Sequence, residues 1–212
     1  RHSLASAFEF MPTTSSAIKV AVKRTDRTGN QPFGGGFGHS QVVEFAAPID
    51  HQLTDFDASA EVEKGIALFR AGYTGSWFTN NVAQVIWDNP LRATDISGGP
   101  SAGRLGLPVS STMLGVNGMV SIKLPKKSRL TAYATMSTLK DDNGLVLPHT
   151  INSAVLPLTG APTRAGIDGE AQMTGFNLNF TSRPSSLFSL NARMKYYDYD
   201  NKIPAFEVIN RV

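Results

Sequence analysis

Three observations in the sequence predict an all-β protein, an antiparallel up-and-down transmembrane β-barrel of which this chain supplies about eight strands. Segments of about ten residues alternate apolar and polar side chains, the period of a strand whose two faces meet different media. In Leu187–Tyr197, Phe188, Leu190, Ala192, Met194 and Tyr196 oppose Ser189, Asn191, Arg193, Lys195 and Tyr197. A tilted strand of about that length spans the hydrocarbon of a bilayer. The connections, finally, alternate between about four or five residues and about twenty-five to thirty-five. Short turns on one side and long loops on the other is the rhythm of outer-membrane barrels, and a soluble sandwich rarely needs three such loops.

The totals are compatible with this architecture without requiring it. The chain has 212 residues, a net charge of +3 and no cysteine; its pI is near 9.2 and its mean hydropathy −0.13. Such hydropathy is also that of a soluble protein, because half of every barrel strand is polar. No run of about 18 apolar residues exists, which excludes a spanning helix. Without cysteine the chain holds no disulfide, no thiolate metal site and no Cys-x-x-Cys-His haem attachment. The basic residues are spread along the chain instead of forming a patch, which argues against nucleic-acid binding.

In order, Ser3–Phe10 is a plausible strand, turned by Pro12-Thr-Thr-Ser-Ser16 into Ala17–Lys23, where Ile18, Val20 and Val22 oppose Lys19, Ala21 and Lys23. A polar segment from about Asp26 to Gln52, containing Gly34-Gly-Gly36, reads as a mobile loop; a phosphate cradle would need a strand before it and a helix after it. Leu53–Val62 alternates Phe56, Ala58, Ala60 and Val62 with Asp55, Asp57, Ser59 and Glu61. The acidic row is the polar face of a strand more simply than a metal or acid/base site. After the turn Glu63-Lys-Gly65, Ile66–Trp77 returns with Leu68, Phe69, Tyr73 and Trp77, aromatics that suit an interfacial girdle. A second long loop, Thr79–Ser111, precedes Met113–Leu124, the basic turn Pro125-Lys-Lys-Ser128, and Arg129–Leu139. The third loop, Lys140 to about Gly169, contains Asp141-Asp-Asn-Gly144, a turn that lacks the remaining ligands of a calcium loop. Ala171–Thr181 and the turn Ser182–Ser186 lead into the strand described first.

The chain begins without a Met or a signal-like segment and ends where Phe206, Val208, Asn210 and Val212 begin to alternate. An excerpt of a longer chain is the expectation, because an open sheet would leave two unpaired edges in lipid. Residues 1–212 are therefore expected to be a segment of a single outer-membrane barrel domain, with no separate domain.

Several motifs resemble the MtrB/PioB family of decahaem-associated outer-membrane proteins. They are Arg27-Thr-Gly-Asn-Gln-Pro32 with Val43-Glu-Phe-Ala-Ala-Pro48, Gly72-Tyr-Thr-Gly-Ser-Trp-Phe-Thr-Asn-Asn81, Trp87-Asp-Asn-Pro90, Phe176-Asn-Leu-Asn-Phe-Thr-Ser-Arg-Pro184, and Tyr196-Tyr-Asp-Tyr-Asp-Asn201 with Pro204. The resemblance runs over most of the chain and implies a large barrel in the bacterial outer membrane that sheathes a multihaem c-type cytochrome for extracellular electron transfer. On that reading this chain supplies roughly the middle third of the barrel wall and binds no cofactor covalently, the haem belonging to the partner. About eight strands enclose no cytochrome, since an eight-stranded interior is filled by side chains.

The residues expected to face the lumen and contact the partner are Asn177, Asn179, Ser189, Asn191, Arg193 and Lys195. Phe188, Leu190, Ala192 and Met194 are expected to face lipid. The alternative is a porin-like passive channel for small solutes, which shares the same alternation. An enzyme is the weakest reading, because His2, His39, His51 and His149 are scattered and pair with no identifiable nucleophile. No catalytic, cofactor or metal residue is therefore assigned.

Overall fold

The computed structural model describes residues 1–37, 42–142, 144, 150–154 and 166–206, and its regular elements are all strands. In chain order these are β1 (His2–Thr13), β2 (Ser16–Gly36), β3 (Val42–Lys64), β4 (Ala67–Asn80), β5 (Gln84–Asp88), β6 (Ala102–Gly106), β7 (Ser111–Leu124), β8 (Ser128–Asp141), β9 (Thr150–Ile151), β10 (Glu170–Ser182) and β11 (Leu190–Asn201). Eight of them form one antiparallel sheet in the order β1-β2-β3-β4-β7-β8-β10-β11. Each is hydrogen-bonded to the next long strand of the chain, so the order is up-and-down. The sheet is open, with β1 and β11 as its edges.

All eight expected strands are present; six have ends that differ by a few residues, while β2 runs on to Gly36 and β3 begins already at Val42. The last begins at Leu190 instead of Leu187, because β10 ends at Ser182, the partner of Leu190, and offers no ladder to the residues before it. Ser189 consequently lies in the turn. The expected further strand at the C-terminus falls largely on 207–212, outside the described residues, as does Asn143 of the Asp141–Gly144 turn.

The largest departure is the segment expected to be a mobile Gly-rich loop. The β2–β3 ladder runs unbroken from Ser16↔Val62 to Gly36↔Val42, so most of 26–52 is paired strand. Gly, Pro and polar residues make most of it read as a loop, but Val43, Phe45, Ala47 and Ile49 alternate at the period of a strand, with Ala47 and Ile49 buried, and the ladder satisfies the backbone groups on either side. The glycines serve close packing: a Cβ on Gly35 would sit 2.4 Å from the Trp87 indole, and one on Gly103 2.3 Å. Only hydrogen fits on both sides of that ring.

Trp87 brings the second long loop into the structure. It lies on β5, which pairs with β6, and β6 in turn with β9, as a small sheet built from the second and third long connections. The Trp87 ring stacks on Phe45 with centroids 5.2 Å apart and meets Phe37 at 6.2 Å. Phe37, Ala47, Val85 and Trp87 form the buried apolar cluster, with Phe33, Val43, Phe45 and Leu105 against it. This core lies at the long-loop end of the β2–β3 hairpin, between those two strands' extensions and the small sheet.

Asp95 fastens the same assembly with charge-assisted hydrogen bonds. Its Oδ1 accepts from the Ser101 amide at 2.7 Å, and its Oδ2 from the Ser153 amide and hydroxyl, both at 2.6 Å. The Ser153 hydroxyl and amide and the Ser101 amide hold the Asp95 carboxyl well below the usual carboxylate range. The buried Asn152 adds a bond from Nδ2 to the Ile96 carbonyl at 3.0 Å.

The sheet sorts its side chains cleanly. Register places Ile18, Ala60, Ala71, Gly118, Ala134, Phe176 and Tyr196 in one row on one face. On β7 this face carries Leu114, Val116, Gly118, Val120, Ile122 and Leu124. Ten residue steps at about 3.4 Å cover about 34 Å of strand, or about 26 Å of height at a tilt of about 40°. That is the height of the apolar band of an outer-membrane barrel. Beyond it, toward the long loops, the same face carries Trp77 and the Lys140–Glu170 ion pair at 3.1 Å.

In the full-length protein, Val120→Arg is expected to cost roughly 2 to 4 kcal/mol of folding stability in bilayers. Asn117→Arg, on the opposite face of the same strand, should be close to neutral; denaturant titration in liposomes measures both. Trp87→Ala should free the small sheet from the β2–β3 hairpin, with a local loss of about 3 to 5 kcal/mol read as accelerated proteolysis within 89–101. A depressed carboxyl pKa stabilises the docked state above the unfolded value of about 3.9 and stops doing so as pH falls through the folded value. Proteolysis of that segment should therefore be flat from about pH 7 to 5 and rise below about pH 4, a rise that Asp95→Asn abolishes.

Candidate functional site

The second face of the sheet is polar and carries the charge. On β3 it presents Asp55, Asp57, Ser59, Glu61 and Glu63 in a column. Lys23 and Lys19 of β2 stand opposite Asp55 and Ser59, and Arg70 of β4 opposite Glu61. Alternation alone produces the acidic column, and antiparallel pairing surrounds it with cations. Lys19 Nζ lies 3.0 Å from Glu9 Oε1, Lys123 Nζ donates to Glu63 Oε1 at 2.5 Å, and Ser76 Oγ donates to Asp55 Oδ1 at 2.7 Å. A hollow of about 470 Å³ opens here, bordered by Glu9, Lys19, Asp57, Ser59, Arg70 and Asn117.

Farther along the sheet the same face becomes neutral and then basic. Ser121, Thr131, Asn179 and Arg193 lie in one cross-strand row, and Met119, Tyr133, Asn177 and Lys195 in the adjacent one. Ser121 and Thr131 share a hydroxyl hydrogen bond at 3.0 Å. The Asn179 Oδ1 is buried without a hydrogen-bond partner among the described residues. Arg193 and Lys195 are exposed on the edge strand β11.

Register thus brings five of the six expected partner-contacting residues, Asn177, Asn179, Asn191, Arg193 and Lys195, onto one face of two adjacent strands. Ser189 is the exception, being in the turn before β11. Leu190, Ala192 and Met194 occupy the other face. His51 packs its ring against Phe78 at 5.3 Å, while His39 and His149 lie outside the described residues. The cationic surround of the β3 column escaped sequence reasoning, since Lys123 and Glu63 are sixty residues apart and only register joins them. Opposite charges on alternating strands were the available signal, and they carry no information on which strands adjoin.

The arrangement offers hydrogen-bond donors, acceptors and charges of both signs across a broad sheet, backed by an apolar face of membrane height. This is the chemistry of a wall between lipid and a water-filled or protein-filled interior. Comparison with known proteins agrees. The profile of the family described as "Putative outer membrane beta-barrel porin, MtrB/PioB" matches residues 1–210. The outer membrane protein MtrB of Shewanella baltica (strain OS185) is 25% identical over 195 residues, covering 92% of this chain and 26% of the relative. The chain therefore spans about a quarter of the length of that curated relative. With a match over nearly its whole length and an antiparallel sheet sorted into lipid-height and polar faces, the chain belongs to the MtrB/PioB family of outer-membrane β-barrel proteins.

Proposed function

We propose that the chain forms part of the wall of a large outer-membrane barrel that sheathes a multihaem c-type cytochrome and holds it across the membrane for extracellular electron transfer. The observation that carries this reading is the polar face. It spreads the exposed Arg193 and Lys195, the amides of Asn177 and Asn179, and an acidic column on β3 over a surface wide enough for a folded, water-soluble partner. Complementary charges of that kind steer and register a protein partner more than they add raw affinity. The barrel's role is non-catalytic: it insulates the partner from lipid and fixes its depth.

The haem belongs to the partner in this proposal, because a chain without cysteine forms no thioether bond to haem c. Eight strands do not close around a cytochrome; further strands would extend the wall from β1 and β11, whose edge groups otherwise face lipid unpaired.

The full-length protein, extracted from native membranes in mild detergent, should carry a Soret band and a reducible α band through size exclusion. A colourless barrel would instead favour a porin-like passive channel. Reversing both cations with Arg193→Glu and Lys195→Glu should lower the haem retained per barrel by roughly threefold to tenfold, more at low salt than at high. Heat-modifiable migration on gels should stay as in the wild type, which shows that the barrel itself has folded.

A further inference from the structure

The apolar face carries a groove that an ordinary lipid-facing wall does not require. Ala60, Ala71, Gly118 and Ala134 lie side by side in one row across β3, β4, β7 and β8, walled at its ends by Ile18 and Phe176. Val62, Phe69 and Val120 rise along its short-turn side, but on β8 that position is again small, Ala132. The resulting hollow has a volume of about 730 Å³ and is lined almost entirely by apolar atoms. It is open above its floor: a Cβ added at Gly118 would meet nothing nearer than the Arg70 carbonyl oxygen at 4.0 Å.

The short-turn end of the same face is basic. Lys64 pairs with Ala67, which pairs with Ile122, so Lys64 projects from the apolar side, one row beyond Val62. The neighbouring turn presents Lys126 and Lys127, both with positive φ (56° and 54°), closed by the Ser128 amide on the Pro125 carbonyl at 3.3 Å. Two lysines occupy the central positions of a type I′ turn, where Asn-Gly is the easier fit. All three lysines are exposed, and none makes an ion pair among the described residues. Glu63 and Lys123 neutralise each other on the opposite face. No described carboxylate lies on the apolar face in the rows nearest the short turns.

We propose that this groove binds an anionic glycerophospholipid of the leaflet on the short-turn side, its phosphate held by Lys64, Lys126 and Lys127 and an acyl chain lying over Ala132, Ala134, Gly118 and Ala71. Charge complementarity selects the headgroup, because cations just outside an apolar band meet lipid phosphates and are opposed by no acid. Small side chains supply the chain-binding half, since a chain over a floor of Ala and Gly regains dispersion contacts that a smooth wall of Val and Leu does not offer. The inference rests on the outer-membrane location of the barrel and is independent of any cytochrome.

The test uses the full-length barrel, stripped of lipid in detergent, incubated with an equimolar mixture of phosphatidylglycerol and phosphatidylethanolamine, and weighed by native mass spectrometry. Wild type should retain phosphatidylglycerol preferentially. The combined Lys64→Gln, Lys126→Gln and Lys127→Gln variant should lose that preference by up to about a hundredfold, at about fivefold per lysine near a lipid surface. Gly118→Leu should fill the groove and lower retention of both lipids, with heat-modifiability confirming a folded barrel. Unchanged preference without the lysines, or unchanged retention in Gly118→Leu, overturns the proposal. So does competition by soluble glycerol phosphate as effective as by the lipid, or an acidic protein captured through the lysines while lipid retention stays constant.

Discussion

The backbone hydrogen-bond ladder is the constraint from which the rest of this structure follows. In hydrocarbon no water satisfies a stray amide, so a spanning chain without long apolar helices must pair strand with strand. Six of the eight long strands are paired on both sides, and the registers run without slip across the β2–β3, β3–β4, β4–β7, β7–β8, β8–β10 and β10–β11 boundaries. Once the ladder is continuous, side chains have no freedom of face. A residue is on the lipid side or on the polar side according to its parity, and a slip of one residue would exchange the two completely.

This explains why the membrane-height part of the sheet forms no buried apolar cluster among the described residues. Its apolar side chains, such as Val116 and Met136, are more than half exposed when the chain is taken alone, because their partner is lipid. The buried apolar cluster forms instead where the β2–β3 hairpin passes beyond the band and meets water. There the ordinary rules of soluble proteins return: Trp87 is buried between glycine-bearing strands, and Asp95 ties irregular loops together with amide and hydroxyl donors. One chain thus follows two solvation regimes, separated near the row of Trp77 and Lys140.

The polar face joins these regimes to function. Its charges are arranged in columns because side chains two residues apart share a face, and the columns neighbour one another because the strands are paired in register. A partner in the interior would meet an acidic column flanked by lysines at one end and a basic edge strand at the other. The outer face separates its own roles by height, with small residues at mid-band, lysines at the short turns, and Trp77 with the Lys140–Glu170 pair toward the long loops.

By itself the sequence determined the strand class, the existence and order of the eight long strands and the faces of their membrane-height parts, because a period of two is local and lipid enforces it over about ten residues. The common face of Asn177, Asn179, Arg193 and Lys195 was legible for the same reason. Family membership was legible in motifs such as Gly72–Asn81 and Phe176–Pro184. Tertiary structure alone decided what depends on distant partners: that the glycine-rich 26–52 region is a paired hairpin, that Trp87 needs Gly35 and Gly103 beside it, that Asp95 reaches Ser153, and that Lys123 meets Glu63. Parity assigns a side chain to a face, but which strand lies beside it is set by pairing, and pairing is a property of the folded sheet.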